Sequence, residues 1–468
     1  MNKVLYTTLK RGLFIGGCFL SYLASYTPLS ASPAYEQRLE RLKQFRLTQP
    51  YIYDLPNGLK LLVYLKKDTP IVAHSIWYNI GAADEQAGET GLAHFFEHLM
   101  FKGTHKHPHD TYSQYIASVG GYENAYTTSD YTVYYQNVPK TSLEKIMNFE
   151  ADRMVNLDIP EKEFYHERDV VLEERSMRVD NDPASLLAEQ MAAMLYRNHP
   201  YGKPVIGWRH EIEQLNLKSA QKFYKKYYVP NNAIVTVVGD VVPEQVYQTA
   251  LKTYGKNKAN PELVIPQRPQ EPEQKGSRMM VYKDKNTSLP MLFYYAQGSG
   301  YGKNPKDLYK LVIGLKALGD GTSSYLFRKL VNQEQQAVAF NIYVPSETQD
   351  SSTIMISMVG DKQANLDKMK QRLIFNMKQA ISKRLLDDEI AIAQQNLISD
   401  FIYASDGRGN LARFFGVSLL NTGQVKDILE FPKMIGDITP QEVYDVLEST
   451  LTDDNQVIGY LQPDSHPQ

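Results

Sequence analysis

A single cysteine, Cys18, is all the thiol chemistry in 468 residues, so no internal disulfide can form and cysteine catalysis would rest on one position near the amino terminus. An excess of charge is also lacking, because 51 Lys and Arg face 53 Asp and Glu. A chain so balanced has no overall basic field with which to hold a polyphosphate, which argues against nucleic acid as a partner. Long apolar runs are equally scarce. Beyond the amino-terminal stretch, no segment reaches the roughly 20 apolar residues of a membrane-spanning helix, so no integral span is expected in the mature chain. What is plentiful is globular material. Hydrophobic residues make up 43% and aromatic residues 11%, enough apolar surface to offset chain ordering, and the length suggests more than one domain.

Lys3, Lys10 and Arg11 precede the apolar run Gly12 to Ala24, and mostly small residues continue to Ala34. This layout predicts a secretory signal peptide over residues 1–34, cleaved after Ala34, with Ala31 as a competing site. Cleavage would remove Cys18 as well. Cys18 follows Ile15-Gly-Gly, loosely like a lipoprotein processing site, but the apolar stretch runs on past it, which disfavours lipidation. An exported protein is expected, periplasmic first, with extracellular or lipid-anchored placement as alternatives.

Residues 256–277 concentrate Pro, Gln, Glu and Lys and read as a linker between domains at 35–255 and 278–468. Before it, Leu59 to Leu65 and Ile71 to Tyr78 read as strands, followed by a helix from about Gly91. After it, Met279 to Tyr282 and Leu292 to Ala296 are strands, and Asp307 to Leu318 is a helix closed by Gly319. Laying Gly103-Thr104 over Gly321-Thr322 superposes the two helices and leaves similar elements on either side. The expected fold class is α+β, a duplicated unit whose sheet is covered by helices. The halves differ where chemistry is concerned. His94, Glu97 and His98 fall over Val312, Leu315 and Lys316, so the second half keeps neither imidazole nor carboxylate there.

The run Gly91 to Thr104 contains His94-Phe-Phe-Glu97-His98. On a helix, His94 and His98 lie one turn and about 6 Å apart with Glu97 on the adjoining face. Two imidazoles so placed can share one cation, zinc above all, leaving Glu97 to take a proton from a water the cation activates. Leu92, Phe95, Phe96, Leu99, Met100 and Phe101 make this helix apolar almost all round. An ionised Glu97 among them would cost several kcal/mol unless paired, and a divalent cation removes that difficulty. A third ligand must come from elsewhere. In Phe164 to Met177, the residues Phe164, Glu167, Val171, Glu174 and Arg178 recur at helical spacing, so two carboxylates share one stripe about 10 Å apart. One can be a ligand and the other can support the site, while Glu173 competes with Glu174.

These features resemble the pitrilysin/insulinase family of zinc peptidases, in the shorter branch similar to mitochondrial processing peptidase. The resemblance is strongest in Trp77 to Glu85, Gly91 to Thr104, Asn124-Ala-Tyr-Thr127 and Glu167 to Glu174. It implies a pair of homologous α+β domains, one Zn²⁺ per chain held by His94, His98 and Glu174, and Glu167 as the supporting acid. It also implies that an extended peptide adds to a sheet edge near Asn124 and Ala125, a mode that reads main chain more than side chains. Many relatives carry an Arg and a Tyr in the second domain that stabilise the substrate carbonyl. Around Val331 to Phe340 neither is found, and Phe340 stands about where the tyrosine belongs, with no hydrogen to donate.

The expected activity is zinc-dependent hydrolysis of short or unstructured peptides, with Glu97 as general base. A heterodimer with a zinc-less homologous chain would supply the missing donors, and a homodimer is the runner-up. The rival reading is a non-catalytic scaffold or assembly subunit of the same fold. A metal carrier without hydrolysis would leave Glu97 without a task. Three further histidines in Thr104-His-Lys-His-Pro-His-Asp110 read as an exposed loop rather than a second metal site.

Overall fold

The computed structural model describes residues 32–464. Cys18 and nearly all of the expected leader lie outside them. The described chain begins with helix α1 (Pro33–Leu42), whose N-terminus is capped by the Ser32 side chain. Although it precedes the first half, α1 packs on the second. The Tyr35 hydroxyl donates to Gln394 at 3.3 Å, and Leu39 and Leu42 lie against the second half's core.

Apolar, β-branched runs bounded by turns make the first sheet: β1 (Tyr51–Asp54), β2 (Lys60–Leu65), β3 (Ile71–Tyr78), β4 (Tyr122–Thr127), β5 (Thr132–Pro139) and β6 (Ala233–Gly239), in spatial order β1-β2-β6-β3-β5-β4. The second contains β7 (Arg278–Asp284), β8 (Met291–Ser299), β9 (Ala339–Tyr343), β10 (Ser351–Val359) and β11 (Val457–Pro463), in order β7-β11-β8-β10-β9. Apart from β1, the two sheets have one topology. In each, the first strand pairs in parallel with the last, and the remaining pairings are antiparallel. Helix α2 (Leu92–Leu99) connects β3 towards β4, as the corresponding helix Pro305–Gly319 connects β8 towards β9. The chain therefore adopts the two-domain α+β fold expected from its sequence.

Strands β3 and β6 are buried almost throughout, which fits their continuous rather than alternating hydrophobicity. One face of the first sheet is covered by its own helices. The reverse face is covered by helix Arg408–Thr422 of the second half, where Phe415 packs on Tyr64 with ring centroids 5.2 Å apart. Gly416 makes that approach possible, because a Cβ there would lie 2.3 Å from the Trp77 ring. The exchange is reciprocal. Leu187, Met191 and Leu195 of helix Pro183–Leu195, from the first half, pack with Phe293, Tyr295, Val457 and Leu461 on the second sheet.

Residues 257–277, which connect the halves, form neither helix nor strand. Their Arg268 is nearly buried among three carboxylates. It pairs bidentately with Asp84 at 2.9 Å, meets Asp130, and reaches Asp350 of the second half at 3.0 Å. Tyr201 also donates to Asp130 at 2.6 Å. Among the described residues no helix is long and apolar enough to cross a membrane.

Removing the cation from such a cluster leaves buried carboxylates unpaired, which typically costs 3–5 kcal/mol. Arg268→Ala is therefore expected to lower stability by about that amount, read as a fall in the denaturant midpoint. An unchanged midpoint would show that the cluster does not hold the halves together.

Candidate metal centre

Helix α2 has no side-chain cap of its own, since its N-cap is Gly91. The buried carboxylate of Glu85 serves instead, accepting from the Gly91 amide at 2.9 Å and the Ala93 amide at 2.7 Å. Burial pushes the Glu85 carboxyl up to about 8 despite those two donors. Gly91 has φ +87° and Gly207 has φ +91°, and the two backbones touch. A Cβ on Gly91 would lie 2.5 Å from the Ile206 carbonyl oxygen, so only glycine suits both the dihedral and the space. The start of α2 is thus fixed before its functional side chains are placed.

Helix α3 (Glu161–Arg175) packs alongside α2, with Phe164 edge-on to Phe95 at 4.9 Å between centroids. This packing brings the distant Glu174 to the two histidines. Glu174 Oε2 lies 3.3 Å from His98 Nε2 and 3.7 Å from His94 Nε2. One ligand atom from each of the three residues can be chosen within 4.8 Å of the others, and this is the only such metal-binding group found among the described residues. Zinc bonds of about 2.0–2.2 Å in a tetrahedron put ligand atoms about 3.3–3.6 Å apart, close to the separations of Glu174 Oε2 from the two imidazoles. A second observation agrees. Glu174 Oε2 is buried without a hydrogen-bond partner, an arrangement that favours a cation facing it.

The surrounding groups hold the ligands in place. Glu167 Oε1 lies 2.9 Å from His98 Nδ1, and its other oxygen pairs with Lys102. Arg178 pairs with Glu174 Oε1 at 2.7 Å. Just beyond Glu174 the helix widens into a π-helical turn, Ser176–Asp180. Arg175 anchors this region through Glu189 at 2.8 Å and the Gly207 carbonyl at 2.6 Å. His94 has no such support, and its buried Nδ1 has no hydrogen-bond partner.

Burial, aided by the charges of His98 and Arg178, pushes the His94 pKa down to about 3, so its imidazole is neutral at physiological pH. Burial acts in the same direction on His98, but the Glu167 hydrogen bond and the charges of Glu167, Glu174 and Glu97 outweigh it and raise the pKa. Burial also raises Glu97, against a hydrogen bond from Thr127. Glu167 is held at about 2, because its bonds to His98 and Lys102 overcome its burial.

Glu97 lies beside the cluster, and Asn124 and Ala125 lie on β4, the last strand of the first sheet. These residues line one cavity of about 840 Å³. Val170, Val179, Val205, Ile206 and Met177 add apolar lining to the same cavity, Met177 being 65% exposed. Phe340 on β9 and Val331 pack against the second half's core and present no polar group. The histidines of the 104–110 loop diverge: His105 pairs with Asp158 at 3.0 Å, His107 packs on Phe149, and His109 lies beside Asp110. Three contributors were missed from the sequence: Glu85 as the cap of α2, Lys102 behind Glu167, and Thr127 against Glu97. Strand alternation could have pointed to Thr127, which shares a face with Ala125.

A duplicated α+β chain with a metal-type cluster in its first half is the class of protein that these observations define. Residues 62–208 match the family described as insulinase (peptidase family M16), and residues 214–397 match its M16 inactive domain. The chain belongs to the M16 peptidase family. It is 28% identical over 418 residues to zinc protease PqqE of Helicobacter pylori, covering 87% of this chain and 92% of that one. An uncharacterized zinc protease of Mycobacterium tuberculosis is 27% identical over 407 residues, covering 85% and 90%. The crystal structure of a protease from Helicobacter pylori superposes with a TM-score of 0.84 at 27% identity, covering 89% of this chain and 100% of that chain. The periplasmic protease PqqL of Escherichia coli shares the fold, with a TM-score of 0.71 at 18% identity, over 89% of this chain and 48% of that one.

A protonated His98 cannot offer Nε2 to a metal, and its pKa is raised. Zinc affinity is therefore expected to weaken about tenfold per pH unit once pH falls below the raised His98 pKa, whereas His94 stays available down to about pH 3. Competition with a chromophoric chelator across pH measures this. A flat profile down to pH 5 would contradict it.

Proposed function

We propose that this protein is a zinc-dependent endopeptidase acting on short or unstructured peptides. The observation that carries the reading is the convergence of His94, His98 and Glu174, with Glu97 at their side and a strand edge across the same cavity. Zinc on those three side chains would supply Lewis-acid activation of a water and of the scissile carbonyl. Glu97 receives the water's proton as attack proceeds, and its burial-raised pKa brings it nearer the operating pH of a general base. Glu167 fixes the His98 ring through Nδ1, leaving Nε2 for the metal.

The peptide pairs with the outer side of β4 at Asn124 and Ala125, a position with which no described strand pairs. Main-chain pairing requires an extended segment, which favours unfolded substrates. Relatives named as zinc proteases support the same chemistry.

Val331 and Phe340 offer no donor to a developing oxyanion, so the reading includes a heterodimer in which a zinc-less homologous chain supplies those donors. A homodimer would lack them at both sites. The amino-terminal layout supports export to the periplasm, where the similarly folded PqqL is described to act. The same missing donors favour the second reading, a scaffold subunit that keeps the fold without chemistry. Stoichiometric zinc with no cleavage of any unstructured peptide, even with a co-purified partner, would select it.

Glu97→Gln is expected to keep its zinc and its melting temperature yet lose about 10²- to 10⁴-fold in peptide hydrolysis. Undiminished turnover by the purified variant would refute the assignment. Affinity purification from the source cell should recover a homologous chain without the His-x-x-Glu-His pattern, whereas recovery of this chain alone would favour a homodimer.

A further inference from the structure

The side chain that holds Glu97 belongs to the strand proposed to receive the peptide. Thr127, the last residue of β4, donates its hydroxyl to Glu97 Oε2 at 2.8 Å. Strand alternation explains the placement. Ala125 pairs with Tyr134, whose hydroxyl donates to the Phe96 carbonyl of α2, so Ala125 and Thr127 face α2 while Asn124 and Tyr126 face the other way.

The direction of the hydrogen bond follows from counting hydrogens. Thr132 Oγ1 lies 3.5 Å from Thr127 Oγ1 and 3.0 Å from the Ile80 carbonyl oxygen. A carbonyl can only accept, so the one Thr132 hydroxyl hydrogen goes to Ile80. The Thr127 hydrogen is then directed at Glu97, whose ionised carboxylate can likewise only accept. That bond engages one acceptor site of Oε2 and so fixes the direction of the carboxylate.

We infer that Thr127 is a positioning residue that aims the Glu97 carboxylate, so that the strand pairing with the substrate also sets the orientation of the base. This rests on the hydrolase reading for its catalytic consequence, but not for its geometry. Peptide register at Asn124 and Ala125 and the direction of Glu97 are then fixed in one rigid frame, which limits the loss of alignment between reacting groups.

The test compares zinc-loaded wild-type protein with Thr127→Val, which keeps the shape and removes the hydroxyl, and Thr127→Ser, which restores it. On a fluorogenic unstructured peptide, Thr127→Val is expected to lower kcat by about ten- to a hundred-fold with KM within about twofold, the range expected for a lost hydrogen bond to a charged group. Thr127→Ser should recover to within a few-fold, and zinc content and melting temperature should match wild type in both. Crystal structures of wild type and Thr127→Val give a readout that needs no turnover, with the Glu97 carboxylate rotated away in the variant. The inference is overturned by an unmoved carboxylate, by wild-type kcat in Thr127→Val, by failure of Thr127→Ser to recover, or by loss of zinc or folding in Thr127→Val. If wild-type protein with its partner cleaves no peptide, the hydrolase reading falls while the carboxylate position still decides this inference.

Discussion

Helix α2 must be buried, and three of its eight residues are His94, Glu97 and His98. Leu92, Ala93, Phe95, Phe96 and Leu99 pack inward, so the polar side chains cannot all turn to water. They are tolerable only if their charges balance. Glu97, Glu167 and Glu174 gather around two imidazoles, and of those His94 is neutral because of its burial. Lys102 and Arg178 answer part of the negative charge, and Glu174 Oε2 is left facing the histidines without a donor. A proton on His98, whose pKa these carboxylates raise, or a divalent cation bound in its place would answer the remaining charge.

Placing the third carboxylate depends on elements far from α2. Arg175 follows Glu174 and is tied to Glu189 and to the Gly207 carbonyl, while the Gly207 backbone touches Gly91 at the start of α2. Both ends of the cluster are therefore fixed to the same short loop. Glu189 lies on the helix Pro183–Leu195 that packs on the second sheet. The geometry of the metal-type cluster is mechanically continuous with the half of the molecule that contributes no ligand.

Much of this was legible in the sequence because it depends on local patterns. The His-x-x-Glu-His spacing, the helical recurrence of Glu167 and Glu174, and the strands on either side of α2 are short-range signals. Weak similarity between the halves sufficed to anticipate a duplicated α+β unit, because the elements recur in the same order along the chain, whereas the strand order the two sheets share depends on crossovers that no local pattern specifies. Periodicity could not separate Glu173 from Glu174, because neighbouring helical positions differ by about 100° and the choice depends on the tilt of α3 against α2. Glu85, Lys102 and Thr127 escaped because their partners are fixed only by tertiary packing. The reciprocal packing of helices between the halves left no trace either: an apolar helix face does not reveal which sheet it will cover.

That reciprocity bears on how the molecule can be divided. Each sheet buries its reverse face under a helix encoded in the opposite half, so a chain cut at residues 257–277 would yield two fragments, each with a bare hydrophobic surface and an orphaned amphipathic segment. Among the described residues the two halves therefore pack as one unit, even though the shared strand order is that of a doubled module. Two severed fragments supplied together would be expected to find one another, each completing the other's interior.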